Sequence, residues 1–360
     1  MKPAATATTT RCLLAAALSL LTTVLCLHTR ATPLDTRGIP ATATGVIHLD
    51  YDLFAKSSLN AAAKQLSEKN ITAQNGASLA DIQKQTGLNP DTDIHSITIG
   101  LIKPPAGDST EPQPTIVIRG AFTPDKLIEF AKQTKCTITT RGPMTIIASP
   151  DKATLAAAAR NSPSSPANPM AGMMGMINMG ATPGMDDSDS TPSQPYYAAL
   201  VGNNTILVAP NLDAIDKSSA ALTGAAYTPP AAFTTFTRQQ GTPMLTAYID
   251  KDLVANAGGG MMPTGDIKNI QISLAETSSR LRAHILSEYA TPDAAAKTKS
   301  MIQGLLGFLQ MGAAGADTPE AAARAEKIQR LLSALKFTQT GPTLDISLDL
   351  PAEDATALMK

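Results

Sequence analysis

The chain has no tryptophan, and aromatic residues make up only 4% of it. A core built from it must therefore be aliphatic, and 43% apolar residues supply enough for a large one. Charge is sparse too: 16% of residues, with 29 Lys and Arg against 30 Asp and Glu, scattered rather than clustered. Phosphate neutralisation needs clustered cations, so no nucleic-acid partner is expected. Of three cysteines, Cys12 and Cys26 lie in an N-terminal apolar run, leaving Cys136 alone. A mature chain without that run can form no intramolecular disulfide, and Cys136 reads as a small packing residue. The sequence has no Gly-x-Ser-x-Gly elbow, phosphate loop, dinucleotide glycine fingerprint, His-Glu-x-x-His or Cys-x-x-Cys pair.

What is present begins with an address. Lys2 and Arg11 precede Cys12–Leu27, an apolar run of signal-peptide length and shorter than the roughly 20 residues of a spanning helix. Thr29 and Ala31 are small residues at a plausible cleavage site, so residues 1–31 are expected to be a signal peptide. An uncleaved anchor is the other reading of the same run. Thr23-Val24-Leu25 before Cys26 lacks the small residue of a lipoprotein signal. The expected compartment is periplasmic or secreted, with no membrane span after signal removal.

The stretch 93–133 organises the rest. Ile97, Ile99 and Leu101 alternate with Ser96, Thr98 and Gly100, the period of a half-buried strand. Thr115–Ile118 is a β-branched second strand, and Thr123-Pro124-Asp125 opens a helix with a cap, a first-turn proline and an acid. Elsewhere Val46–Tyr51 is expected to be a strand, with Asp52 capping the next helix. Hairpins are expected about Gly142, Gly202-Asn203-Asn204 and Gly341. Ile267–Ala275 and Arg280–Leu286 form a strand pair, and Thr291 and Thr318 open helices.

Four landmarks recur in one order. His48–Leu53 matches Tyr248–Leu253, Asp93–Ile99 matches Asp266–Ile272, Thr123-Pro124-Asp125 matches Thr291-Pro292-Asp293, and Gly142-Pro143 matches Gly341-Pro342. The expected fold class is α+β with an internal duplication: two similar units, each an antiparallel sheet with helices on one face. Residues 32–44 form a flexible lead, 45–160 the first unit and 161–195 a disordered Met-, Gly- and Pro-rich loop. Residues 196–230 complete the first unit with a hairpin and helix, and 231–360 form the second. The cleft between the units is the expected binding surface.

Gln85–Ile99, the Gly120–Leu127 strand-to-helix segment and the Leu348–Ala352 ending resemble a group of exported bacterial proteins of unknown function. Asn89 stands where that group has Asp. The resemblance implies export and brings no activity or ligand.

Three histidines remain after the signal: His48, His95 and His284. His48 and Asp50 share one strand face, which suits a general base or a metal ligand. Asp250 recurs at the matching position without a histidine, which points instead to a structural cap. Met170, Met173, Met174, Met176, Met179 and Met185 crowd the long loop, and Met261 and Met262 follow three glycines. Thioethers select Cu(I), but no His or Cys reinforces them and the composition is that of a linker. Asp186, Asp187 and Asp189 lack calcium-loop spacing. No catalytic, cofactor or metal residue is assigned. The expected function is a non-enzymatic envelope or secreted protein, a scaffold or binding module for an unknown envelope protein or ligand. The alternatives are a copper-handling protein acting through the Met-rich loop, or a hydrolase without a recognisable motif.

Overall fold

The computed structural model describes residues 34–64, 83–84, 86–103, 112–149, 196–257, 266–277, 279–314 and 319–359. The signal segment, residues 151–160 at the end of the first unit, the Met-rich loop and Met261-Met262 lie outside the described residues.

Some strands alternate in burial and others are buried on both faces, and every strand pairs antiparallel with its neighbours. The first half contributes β1 (Ala43–Asp50), β2 (Ile94–Ile102), β3 (Gln113–Gly120), β4 (Thr137–Arg141), β5 (Met144–Ala148), β6 (Tyr197–Val201) and β7 (Thr205–Ala209). The second contributes β8 (Leu245–Asp250), β9 (Ile267–Thr277), β10 (Arg280–Tyr289), β11 (Leu335–Thr340) and β12 (Thr343–Pro351). All twelve join one sheet in the order β11-β12-β10-β9-β8-β1-β2-β3-β7-β6-β5-β4. The hairpins turn at Gly142, Gly202 and Gly341, whose φ values of 58°, 60° and 57° put them in the left-handed region that glycine reaches without strain.

The halves meet strand to strand. β1 pairs with β8 from Gly45↔Ile249 to Leu49↔Leu245, so main-chain hydrogen bonds cross the join where an open cleft was expected. Setting β6 and β7 aside, the order outward from the join is β1-β2-β3-β5-β4 in one half and β8-β9-β10-β12-β11 in the other. The β6–β7 hairpin, expected to complete the first sheet, inserts between β3 and β5.

Nine helices are named among the described residues: α1 (Tyr51–Phe54), α2 (Pro90–Asp93), α3 (Pro124–Gln133), α4 (Leu212–Thr223), α5 (Ala231–Gln239), α6 (Lys251–Ala257), α7 (Pro292–Ala314), α8 (Pro319–Ala334) and α9 (Ala352–Met359). Another helical segment covers 58–64. Alternate strand residues face opposite ways, so the clusters reveal which helix covers which side. On the back of the first half, Ile116, Ile118, Ile206 and Val208 pack with Ala131, Leu127 and Ile128 of α3. On the front, Val117 and Leu207 pack with Ala214 and Ile215 of α4 and Phe233 and Phe236 of α5. The first half thus carries helices on both faces, which corrects the expectation of one. In the second half, Val254, Ala295 and Ile302 meet Ile249, Ile270, Leu344 and Ile346 on the back, and α5 reaches onto the front of β8, where Phe233 packs against Tyr248 with ring centroids 5.6 Å apart.

Three further expectations change. The helix after β1 is capped by Asp50, whose carboxylate accepts from Leu53 N at 3.0 Å, rather than by Asp52. Thr123 holds the cap position of α3 but makes no side-chain cap bond. Residues 34–42, read as part of a flexible lead, form a packed strap over the front: Ile39 is 0% exposed, Gly38 N donates to Ala221 O, and Tyr227 N donates to Ile39 O.

Candidate functional site

The join of the halves carries a buried polar layer on the front. β1, β2, β8 and β9 aim His48, Asp50, Ser96, Thr98, Thr246, Gln271 and Ser273 the same way, because the register pairs His48 with Thr98 and Thr246, and Thr246 with Ser273. All seven are buried. The strap closes part of this layer. The Thr98 hydroxyl donates to Asp35 O at 3.4 Å, and His48 Nδ1 then donates to Thr98 Oγ1 at 2.9 Å.

Asp35 anchors the strap electrostatically. Arg37 grips its carboxylate in a fork, with Nε at 3.0 Å from Oδ1 and a terminal nitrogen at 2.7 Å from Oδ2. Arg119 Nε lies 3.0 Å from Oδ2, a charge contact whose N–H is not aligned as a hydrogen bond. Arg119 spends its other nitrogens on Thr205 Oγ1 and Arg37 O, at 3.3 and 2.9 Å. Burial alone would raise the Asp35 pKa. The Arg37 side-chain and backbone hydrogen bonds and the charges of Arg119 and Arg37 outweigh it, leaving the carboxyl below the usual carboxylate value.

The proposed histidine chemistry does not assemble. His48 is held by Thr98, and Asp50 serves as a helix cap, the structural reading suggested by the repeated Asp250. Asp250 in turn accepts from Asp252 N at 3.2 Å. His95 pairs with Asp52 at 3.1 Å, and His284 faces Asp345 at 3.7 Å on another strand pair. Among the described residues no group of three or more His, Cys, Asp or Glu could hold a metal ion. Cys136 is buried in the back cluster; burial raises its thiol pKa, against a 3.4 Å contact with the Thr134 hydroxyl.

Two surfaces remain. The first is the front of β10, β12 and β11 beyond Leu286, which packs at the edge of the front cluster. Arg282 and His284 stand beside Asp345, Ser347 and Asp349, with Lys336 and Thr338 on the edge strand. Asp349 takes Arg280 at 2.8 Å and Arg282 at 3.4 Å, and these two hold its pKa down together. Arg282 is 54% exposed and Asp345 and Asp349 42%, so the ladder faces solvent. The second is a cavity of about 180 Å³ at one end of the join. Leu53, Lys56 and Ser57 come from the first half, and Thr242, Met244, Glu276 and Ser279 from the second. Sequence reasoning missed both. The ladder needs the β10–β12 register, and the cavity needs α1 to cross onto the other half.

The architecture defines an α+β protein built on a single continuous antiparallel sheet. No family model matches the chain, and no curated protein matches it. Among solved structures it is similar to TP0453, a bacterial (Treponema) protein. Crystal form I has a TM-score of 0.43 at 11% identity, covering 92% of this chain and 98% of that one. Form III gives 0.46 at 11%, covering 91% and 98%, and form IV 0.48 at 10%, covering 91% and 96%. At these scores nothing is carried over from those structures. Among the described residues no helix is long and apolar enough to cross a membrane.

Proposed function

We propose that this is a non-enzymatic protein of the bacterial envelope or its exterior, a scaffold or binding module that meets its partner through the uncovered front of β10, β12 and β11. The mixed-charge ladder of that face carries the reading: helices cover the back of this half, while Arg282, Lys336, Asp345 and Asp349 remain available. Strands hold such side chains in fixed rows, which suits a partner of complementary charge pattern. The signal-like N-terminus supports export.

The test is capture from envelope fractions by wild type and by the double variant Arg282→Glu, Lys336→Glu. A partner retained by wild type and lost by the variant supports the reading. Equal capture by both, or hydrolysis of an envelope substrate by the purified protein, ends it.

The same reading takes the two halves as copies of one unit, supported by their matching strand order once β6 and β7 are set aside. Relatives in which the paired landmarks are more alike would strengthen it. Relatives that keep the landmarks in one half alone would remove it.

A further inference from the structure

We propose that the cavity at the join binds a free α-amino acid, the ammonium against Glu276 and the carboxylate against Lys56. This proposal does not depend on the front-face reading. Glu276 alternates with Leu274 on the back of β9, so the cavity belongs to the opposite side of the sheet.

Two opposite charges line one small space without meeting. Glu276 is oriented by Ser58, whose backbone N and hydroxyl both donate to Oε2 at 2.9 Å. Its other oxygen takes neither bond. Lys56 has no ion-pair partner among the described residues and is exposed. A ligand carrying one charge would answer one wall only; a zwitterion answers both, with charge-assisted hydrogen bonds at each end. The hydroxyls divide the same way. Ser57 is committed, donating to Phe54 O at 2.7 Å and accepting from Asn60 N at 3.1 Å. Thr242 and Ser279 line the cavity with hydroxyls that have no partner within the described residues.

Size narrows the class. About 180 Å³ is the liquid volume of roughly six waters and falls below the ~300 Å³ where drug-sized pockets begin. That volume suits a ligand the size of a single amino acid. Met244, 2% exposed, and Leu53 supply an apolar wall for an aliphatic side chain. Because the walls come from both halves, an occupant ties them together and stabilises the native state by mass action.

The experiment is calorimetric titration and thermal melting of the full mature chain with L-leucine and L-methionine, beside N-acetyl-methionine and methioninamide, each of which lacks one charge. Saturable binding and a higher melting temperature are expected for the free amino acids. Affinity should fall about tenfold or more for either analogue. Lys56→Met, at an exposed site that leaves the fold intact, should lose as much, and Lys56→Arg should restore it. No saturable response from wild type up to about 10 mM overturns the proposal. So does equal binding of the single-charge analogues, or full binding by Lys56→Met. Each of these failures leaves the front-face reading standing, since neither Arg282 nor Lys336 lines the cavity.

Discussion

The strap over the front sheet can be tested by a pair of substitutions whose effects should not add. Ile39 is fully buried and sits where Gly100 leaves room for it. A Cβ placed on Gly100 would stand 2.5 Å from Ile39 Cγ2, 3.3 Å from Cδ1 and 3.6 Å from Cβ. Ile39→Ala removes three buried carbons at ~0.8 kcal/mol each, plus a cavity term of ~24 cal/mol per Å³ left unfilled, about 3–4 kcal/mol together. Gly100→Ala alone drives its methyl into a side chain that the strap holds in place, an overpacking cost of about 1–3 kcal/mol. In the double variant the two atoms that clash are gone, and the remaining Ile39 Cβ lies at an ordinary 3.6 Å. The added methyl then fills part of the hole. The pair should therefore be more stable than the sum of the singles by at least about 1 kcal/mol, measured as urea midpoints at unchanged slope. Additivity within about 0.3–0.5 kcal/mol would show that Ile39 and Gly100 do not touch and that the strap is not seated as described. An Ile39→Ala cost below about 1 kcal/mol would say the same of the strap as a whole.

Two further predictions concern the same region and its neighbour. The Asp35 carboxyl is held below its ordinary pKa in the folded state, so its contribution is present above the unfolded value near 3.9 and is lost as pH falls through the folded one. Asp35→Asn should cost about 1.5–3 kcal/mol at neutral pH, with the gap from wild type closing below about pH 4; a gap that persists in acid would refute the charge argument. Gly120→Ala would put a Cβ 1.8 Å from Asp93 O, a carbonyl already bonded to Ala121 N at 2.8 Å. A backbone atom cannot swing aside, so we expect more than about 3 kcal/mol of destabilisation or insoluble expression, and a soluble variant with wild-type melting would contradict it.

Local physics made much of the fold legible in the chain alone. Alternation over Ile94–Ile102 and β-branching over Thr115–Ile118 are properties of neighbouring residues, and they become β2 and β3. Left-handed turns admit few residue types, so Gly142, Gly202 and Gly341 marked three hairpins correctly. Helix α5 was missed because AAFTTFTRQ offers only Phe233 and Phe236 as apolar anchors on a Thr-rich segment; the front cluster stabilises it, and no propensity of its own announces it.

What the sequence determined, then, is the set of strands and turns and a largely aliphatic core, because each depends on residue type and short spacing. Tertiary structure decided the rest. Whether two sets of strands face each other across a cleft or join edge to edge depends on which edges remain unpaired. Here β1 and β8 satisfy each other's backbone groups across residues far apart in the chain. That pairing buries His48 and places Lys56 and Glu276 in one cavity. No spacing along the chain encodes a register between distant strands, so neither the charged ladder nor the cavity could be read before the sheet was closed.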